Sequence, residues 1–168
     1  MINEKLEKVI NEQINAELYS AYLYLSMSAY FESINLPGFA NWMRVQFEEE
    51  QFHAMRFFNY VHERGGRVVL EAIEKPKTEW ANVIDVFEET LTHERHVTAL
   101  LNNIADVAET ERDRPTKNLM VWFIDEQVEE ENSAEKIINE LKMINGEGHG
   151  MLMLDRELGT RTFTPPVI

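Results

Sequence analysis

Five ionisable side chains fall at positions where a helical bundle would normally bury apolar residues, namely Glu17, Glu50, His53, Glu94 and Glu130. They lie on the apolar stripes of four segments in which apolar residues recur at alternating intervals of three and four. That spacing is typical of a helix face packed against its neighbours. A carboxylate that leaves water without a partner is strongly destabilising, so several converging carboxylates require a cation among them.

The residue types around these acids indicate that the cation is a metal ion. The stripes carry no lysine or arginine near the acids, and His53 follows Glu50 by three residues, so both side chains project from one helix face. Oxygen ligands with a single imidazole suit iron or manganese better than thiol-preferring metals. Two divalent ions bridged by a carboxylate, for which Glu50 is the candidate, would balance the charge and could together deliver electrons to dioxygen.

Further acids lie beside this group. Glu126, Glu129 and Glu130 are clustered on the fourth segment, and Glu49 lies on the second. Their oxygens suit an additional cation site next to the first two. Glu131 is expected to be exposed to solvent instead.

The composition excludes several classes of partner. The 168 residues include 30 acidic and 16 basic side chains, giving a formal net charge of −14, which argues against binding to nucleic acid and to anionic membranes. Cysteine is absent, so disulfides, thiolate zinc sites and cysteine-held iron–sulfur clusters are excluded. No apolar run approaches transmembrane length and no leader pattern precedes the first helix, so a cytoplasmic location is expected.

Helix signals predict an all-α fold, a four-helix bundle with one long crossover and a short fifth C-terminal helix. The predicted helices span approximately residues 3–35, 39–64, 80–111, 115–145 and 149–158. Residues 67–79, which include Pro76, are predicted to be extended and are numerous enough to cross the bundle. The ending, residues 164–168, is predicted to be irregular. No linker divides the chain, so residues 1–168 are predicted to form a single domain.

The candidate ligands all lie near the middle of their helices. An antiparallel bundle therefore brings them to one level, whichever way its helices run. The predicted topology therefore brings residues that are far apart in sequence into one cluster. The Glu-x-x-His motif, Glu50 and His53, is expected to be part of this larger site.

The ordered set of motifs closely resembles the non-haem ferritins of bacteria and archaea. A lone Glu-x-x-His is weak support for such a resemblance, whereas this set is spread over four helices and nearly the whole chain. The matching stretches are QINAELYSAYLY (13–24), GFANWMR (38–44), EEEQFH (48–53), Glu94 and WFIDEQVEEE (122–131). The resemblance implies a ferritin-like di-iron domain.

The resemblance also implies roles for individual residues. The implied ligands are Glu17, Glu50 and His53 for the first ferroxidase iron, and Glu50, Glu94 and Glu130, with Gln127 close by, for the second. The implied ligands of an additional iron site are Glu49, Glu126, Glu129 and Glu130. Tyr24 matches a tyrosine beside the centre, where a phenol could donate an electron or a hydrogen bond, so Tyr24, Glu50 and His53 are expected to take part in catalysis.

The implied function is iron storage with ferroxidase activity. Fe(II) would be oxidised by dioxygen or hydrogen peroxide, and Fe(III) would pass to a mineral inside a shell of two dozen identical subunits. Bacterioferritins have a second Glu-x-x-His in the fourth helix and a haem-binding methionine in the second, but positions 130 and 51 here are Glu and Gln. Haem is therefore not expected.

Two other functions remain open from the residues alone. The first is a small di-iron oxidase or oxygenase that acts on an organic substrate and retains only two or so ions per chain. The second is a bundle whose central acids bind a structural divalent ion and consume no dioxygen.

The remaining histidines are not predicted to be ligands. His62, His93 and His96 are expected at the surface or at helix ends. His149 is expected in a glycine-rich turn.

Overall fold

The structure, a computed structural model, describes residues 1–166. Over that range it contains helices and no strands. The helices are α1 (Glu4–Ser33), α2 (Pro37–Glu63), α3 (Val83–Thr110), α4 (Arg114–Met143) and α5 (Gly148–Leu158). α1 packs along α2, α3 packs along α4, α1 also contacts α3, and the short α5 packs on α2. The predicted all-α bundle, with its long crossover and short fifth helix, is confirmed.

The helix starts are set by side-chain caps. The Asn3 carboxamide oxygen accepts a hydrogen bond from the Lys5 amide at 2.8 Å, and Asp113 accepts one from the Thr116 amide at 3.0 Å. Asn82 caps α3 in the same way, and such caps satisfy amides that have no partner inside the helix. The third helix therefore begins at Val83, three residues later than predicted.

Several helix ends lie at residues in the left-handed conformation. Asn35, Arg112 and Asn145 have φ values of 60°, 55° and 53°, which no right-handed helix can contain. α1 and α4 therefore stop at Ser33 and Met143, two residues before the predicted ends. Residues 164–166 have no regular structure, as predicted, and residues 167 and 168 of the predicted irregular ending lie outside the described residues.

The crossover between α2 and α3 lies along α1 and spans the bundle, as its length predicted. The Asn11 side chain donates to the Arg67 carbonyl at 3.0 Å and accepts from the Val69 amide at 2.8 Å. Ser26, four turns further along α1, donates to the Lys77 carbonyl at 2.6 Å. The extended segment is thus fixed at both ends of its path. None of the helices between residues 1 and 166 combines the length and apolar character needed to span a bilayer.

The apolar core consists of two clusters instead of one. One contains Phe31 and Phe87. The other contains Phe57 and Phe123, whose rings stack with centroids 4.0 Å apart. Along each of the four long helices the candidate ligands fall between the residues of one cluster and those of the other. The ionisable side chains therefore occupy a layer across the middle of the bundle.

The start of α2 is capped from a distant part of the chain. Leu36 has no capping side chain, and Asp155 of α5 instead accepts from the amides of Gly38 at 2.8 Å and Phe39 at 3.1 Å. A Cβ atom at position 38 would lie 1.6 Å from the Asp155 carbonyl oxygen, so this contact requires glycine. The negative charge at the helix N-terminus is also favourable. Asp155 thus attaches α5 to the bundle.

Replacing Asp155 by Ala is expected to destabilise the start of α2 by about 1 kcal/mol, because two amides lose their acceptor. Hydrogen exchange followed by mass spectrometry should show faster exchange at Gly38 and Phe39. Asp155→Asn keeps an acceptor oxygen and is the matched control, with protection close to that of the unmodified chain. Equal protection in the Ala variant would contradict the capping role.

Candidate metal centre

Three of the predicted ligands converge from the first helical hairpin. Glu17 on α1 and both Glu50 and His53 on α2 each offer a ligand atom, and these atoms all lie within 4.8 Å of one another. The three residues are buried, with exposed fractions of 1%, 2% and 4%. His53 Nδ1 lies 3.4 Å from Glu50 Oε2. The predicted i, i+3 arrangement therefore points into the bundle.

The second hairpin contributes two more buried carboxylates. Glu94 on α3 and Glu130 on α4 are 1% and 6% exposed, and their charges are among the causes that raise the pKa of Glu50. Among the described residues they are not members of the 4.8 Å group. Glu94 and Glu130 therefore flank Glu50 on the side of the second hairpin, while Glu17 and His53 adjoin it within the first.

Neutral side chains donate hydrogen bonds to three of these acids, Glu17, Glu94 and Glu130. Tyr24 donates its phenol hydrogen to Glu94 Oε1. Gln127 is buried, and its Nε2 donates to Glu94 Oε2 at 3.1 Å. Gln46 Nε2 donates to Glu130 Oε2 at 2.8 Å, and Gln13 Nε2 donates to Glu17 Oε1 at 2.9 Å. These bonds orient the carboxylates without neutralising them.

Two carboxylate oxygens at the centre have no hydrogen-bond donor. Glu17 Oε2 and Glu50 Oε2 are fully buried and unpartnered, whereas nearly all buried polar atoms in proteins are hydrogen-bonded. Both residues belong to the three-residue group that includes the His53 imidazole. Hard oxygen donors and one imidazole suit ferrous iron. The donor set therefore fits metal ions.

Burial raises the pKa of each of these acids when no metal is bound. Burial raises the pKa of Glu17 well above the ordinary value of 4.5, and the Glu50 charge adds to this effect. Burial likewise raises the pKa of Glu50, with a further contribution from the Glu94 charge. Burial also raises the pKa of Glu94 and, with help from Glu94, raises the pKa of Glu130 to about 7. A divalent cation would favour the ionised forms and reverse these shifts.

The structure brings together only part of the predicted additional site. Glu49 and Glu126 are half-buried, Glu130 is buried and Glu129 is exposed. Burial and then the Glu130 charge raise the pKa of Glu49 to about 7, so these two acids share one environment. Among the described residues, the ligand atoms that lie within 4.8 Å of one another do not include those of these four acids.

Arg161 is the main contact that the sequence did not predict. It lies after α5, and its Nη2 donates to Glu49 Oε2 at 2.7 Å while its Nη1 donates to Gln46 Oε1. The stripes themselves carry no basic residue near the acids, as predicted, but the C-terminal segment brings one to them. Helical periodicity gives no signal for the path of an irregular segment.

Two expectations about other side chains were wrong. His93 is half-buried, with Nε2 2.8 Å from Ser20 Oγ and its ring edge against Tyr24. Burial lowers the pKa of His93 to about 4. Glu131 is also half-buried and accepts from Thr98 Oγ1 at 2.6 Å. Both side chains lie beside the apolar stripe of their helix, where the neighbouring helix still covers them partly. The stripe alone therefore underestimates how much of each helix is buried.

The three histidines other than His53 and His93 are exposed. His62 and His96 lie on the surface, as expected. His149 is exposed as well, but it lies near the start of α5 and not in a turn.

Comparison with known sequences places this geometry in a family. A family model described as a ferritin-like domain matches residues 7–144. A bacterial non-heme ferritin of Bacteroides fragilis (strain 638R) is 42% identical over 161 residues, which cover 96% of this chain and 100% of that protein. A bacterial non-heme ferritin of Staphylococcus aureus (strain MRSA252) is 35% identical over 163 residues, covering 97% and 98%.

Solved structures extend the likeness to three dimensions. An engineered closed form of the Archaeoglobus fulgidus ferritin has a TM-score of 0.96 and 49% identity, covering 98% of this chain and 100% of that one. A novel open-pore ferritin from the same hyperthermophilic archaeon has a TM-score of 0.94 and 49% identity, covering 96% and 100%. The similarity therefore includes all the helices that carry the candidate ligands.

Metal-free protein is expected to lose stability as the pH rises from about 4.5 to 7. Unfolded glutamates ionise near 4.5, whereas folded Glu49 and Glu130 keep their protons until about 7. The folded state thus binds more protons in this window, and the free energy of unfolding falls as the pH rises. Glu130→Gln should weaken this dependence and raise the melting temperature at pH 7 by about 3 °C or more, the shift for roughly 1 kcal/mol.

Thermal melts of chelator-treated protein at pH 5 and pH 7 test this expectation. Glu88→Gln, on the exposed side of α3, is the matched control and should keep the pH dependence of the unmodified chain. An unchanged pH dependence in Glu130→Gln would show that the buried acid does not oppose folding.

Proposed function

This chain belongs to the ferritin family, and we propose that it oxidises Fe(II) to Fe(III) and stores the product as a ferric mineral. The oxidation takes place at the centre formed by Glu17, Glu50, His53, Glu94 and Glu130. The observation that carries the proposal is the pair of buried, unpartnered carboxylate oxygens on Glu17 and Glu50 beside an imidazole. Ferrous ions are the substrate that such a donor set attracts.

Glu50 is the residue suited to bridge two iron ions. Its Oε2 lies 3.4 Å from His53 Nδ1. Glu50 belongs to the group with Glu17, and the charges of Glu94 and Glu130 act on it from the second hairpin. One ion would be held by Glu17, Glu50 and His53. The other would be held by Glu50, Glu94 and Glu130, beside Gln127.

The reaction balances with two ferrous ions. Each ion gives up one electron, and dioxygen accepts the pair with two protons to form hydrogen peroxide. Hydrogen peroxide can serve as the oxidant instead, because two electrons and two protons convert it into two water molecules. Ionised carboxylates favour the more highly charged ferric product over the ferrous substrate, which supplies part of the driving force.

Tyr24 is assigned a supporting part in this reaction. Its phenol donates to Glu94, and burial together with the Glu94 charge raises its pKa well above the ordinary value, so it stays protonated. A protonated phenol at this place holds one ligand in position. It is also able to give an electron and a proton to the reacting centre.

Storage requires more than one subunit. The bundle core is filled by two apolar clusters, so a single chain has no space for mineral. We propose a hollow shell of 24 identical subunits, each formed by one domain over residues 1–168, in the cytoplasm and without haem. Glu49, Glu126, Glu129 and Glu130 would form an additional iron site beside the centre, through which ions pass between the centre and the mineral.

Glu50→Ala and His53→Ala are expected to lower the initial rate of aerobic Fe(II) oxidation by about 100-fold or more. Even the loss of a group that only hydrogen-bonds to a metal ligand typically lowers metal affinity or activity by about 10–100-fold. The rate is followed by the absorbance of ferric product in stopped-flow mixing. Glu48→Ala is the matched control, because this exposed glutamate lies on the same helix and outside the proposed sites. Unchanged rates in the first two variants would contradict the assigned centre.

The storage part of the proposal predicts a large particle that retains iron. After repeated aerobic additions of ferrous salt, size-exclusion chromatography with iron analysis should give one high-mass species containing many more ions per chain than the proposed sites can hold. A particle of monomer size, or retention of only two or three ions per chain, would contradict storage and favour a di-iron oxidase.

A further inference from the structure

The segment after α5 runs along α2 towards the candidate centre. Asn41 Nδ2 donates to the carbonyls of Leu158 at 3.3 Å and Arg161 at 2.9 Å. Further along α2, the Phe52 ring lies 6.1 Å from the ring of Phe163. Asn41 and Phe52 are separated by about three helical turns, or roughly 16 Å. The tail segment, residues 159–163, thus follows the helix that carries Glu49, Glu50 and His53.

Arg161 is the charged residue of the tail segment, and its guanidinium is held on three sides. Its centre lies 4.6 Å from the centroid of the Trp42 ring. Nη2 lies 2.7 Å from Glu49 Oε2, and Nη1 donates to Gln46 Oε1. A planar guanidinium can make both hydrogen bonds at once while stacking on an aromatic face, which an ammonium group cannot do. This contact therefore depends on arginine specifically.

Gln46 extends the reach of Arg161 to a second acid. The Gln46 side chain is fully buried, and its two polar atoms face different partners. Oε1 accepts from Arg161, whereas Nε2 donates to Glu130 Oε2 at 2.8 Å. The guanidinium fixes which end of the amide faces Glu130. Arg161 therefore acts on Glu49 directly and on Glu130 through one amide.

We propose that Arg161 is the resident counter-ion of the additional iron site and that a ferrous ion has to displace its guanidinium in order to bind Glu49 and Glu130. This inference rests on the proposed function. The guanidinium and the ion compete for the same carboxylate, so Arg161 lowers the affinity of this site without touching Glu17 or His53. A weakened site suits an ion in transit, because iron held too tightly beside the centre would not move on to the mineral.

The proposal is tested by anaerobic calorimetric titration of the assembled, metal-free protein with ferrous salt. The unmodified protein is expected to bind two ions per chain at the centre and a third more weakly. Arg161→Gln should leave the ion held by Glu17, Glu50 and His53 unchanged and tighten the third by roughly tenfold, the effect of losing one charge-assisted pair. Arg161→Lys, which keeps the charge but not the two-point contact, should tighten it by roughly threefold.

Arg44→Gln is the matched control. Arg44 lies on α2, the helix that carries Glu49, and pairs with Glu32 at 3.0 Å on the exposed surface. Its replacement therefore removes one arginine–carboxylate pair that is distant from the centre. Its titration should match that of the unmodified protein.

The outcomes separate this inference from the proposed function. A third site that is equally tight or weaker in Arg161→Gln would overturn the inference, because the arginine would then only position Glu49 as a ligand. If Arg161→Gln does not assemble, Arg161→Lys provides the test, and a third site that is not tighter in Arg161→Lys would overturn the inference. Failure of the unmodified protein to bind ions at the centre would instead remove the proposed function, and the inference with it.

Discussion

The burial of four carboxylates at one level of a helical bundle is the constraint on which the rest of this structure depends. Glu17, Glu50, Glu94 and Glu130 are each at most 6% exposed, and burial raises the pKa of every one of them. They lie between the two apolar clusters, so apolar packing is interrupted in the middle of the bundle. Such a local violation of core packing is typical of sites that carry function.

The protein surrounds these acids with neutral donors instead of counter-charges. The donors are Gln13 to Glu17, Gln46 to Glu130, and both Gln127 and Tyr24 to Glu94. A lysine at the centre would neutralise the carboxylates permanently and exclude metal ions. Amide and phenol groups orient the same oxygens and leave their charge available to an incoming cation. The guanidinium of Arg161 lies on Glu49, outside the group of Glu17, Glu50 and His53, where we propose that it moderates binding.

The sequence predicted the features that follow from helical periodicity and missed those that depend on irregular segments. Glu17 and Glu94 could be assigned to the core because they interrupt apolar stripes, and the antiparallel arrangement then fixed their common level. The start of α3 was wrong by three residues, since the capping amide of Asn82 determines it. Asp155 and Arg161 were missed because their partners lie more than a hundred residues away in the chain. No local pattern encodes where a C-terminal segment docks.

The most direct measurement is an anomalous-scattering map from crystals soaked in ferrous salt without oxygen. If cations neutralise the buried acids, two iron peaks should lie on either side of Glu50, one beside Glu17 and His53 and the other beside Glu94 and Glu130. Soaked crystals that show iron elsewhere on the molecule but no peak among these carboxylates would contradict the assignment of the bundle centre as the iron site.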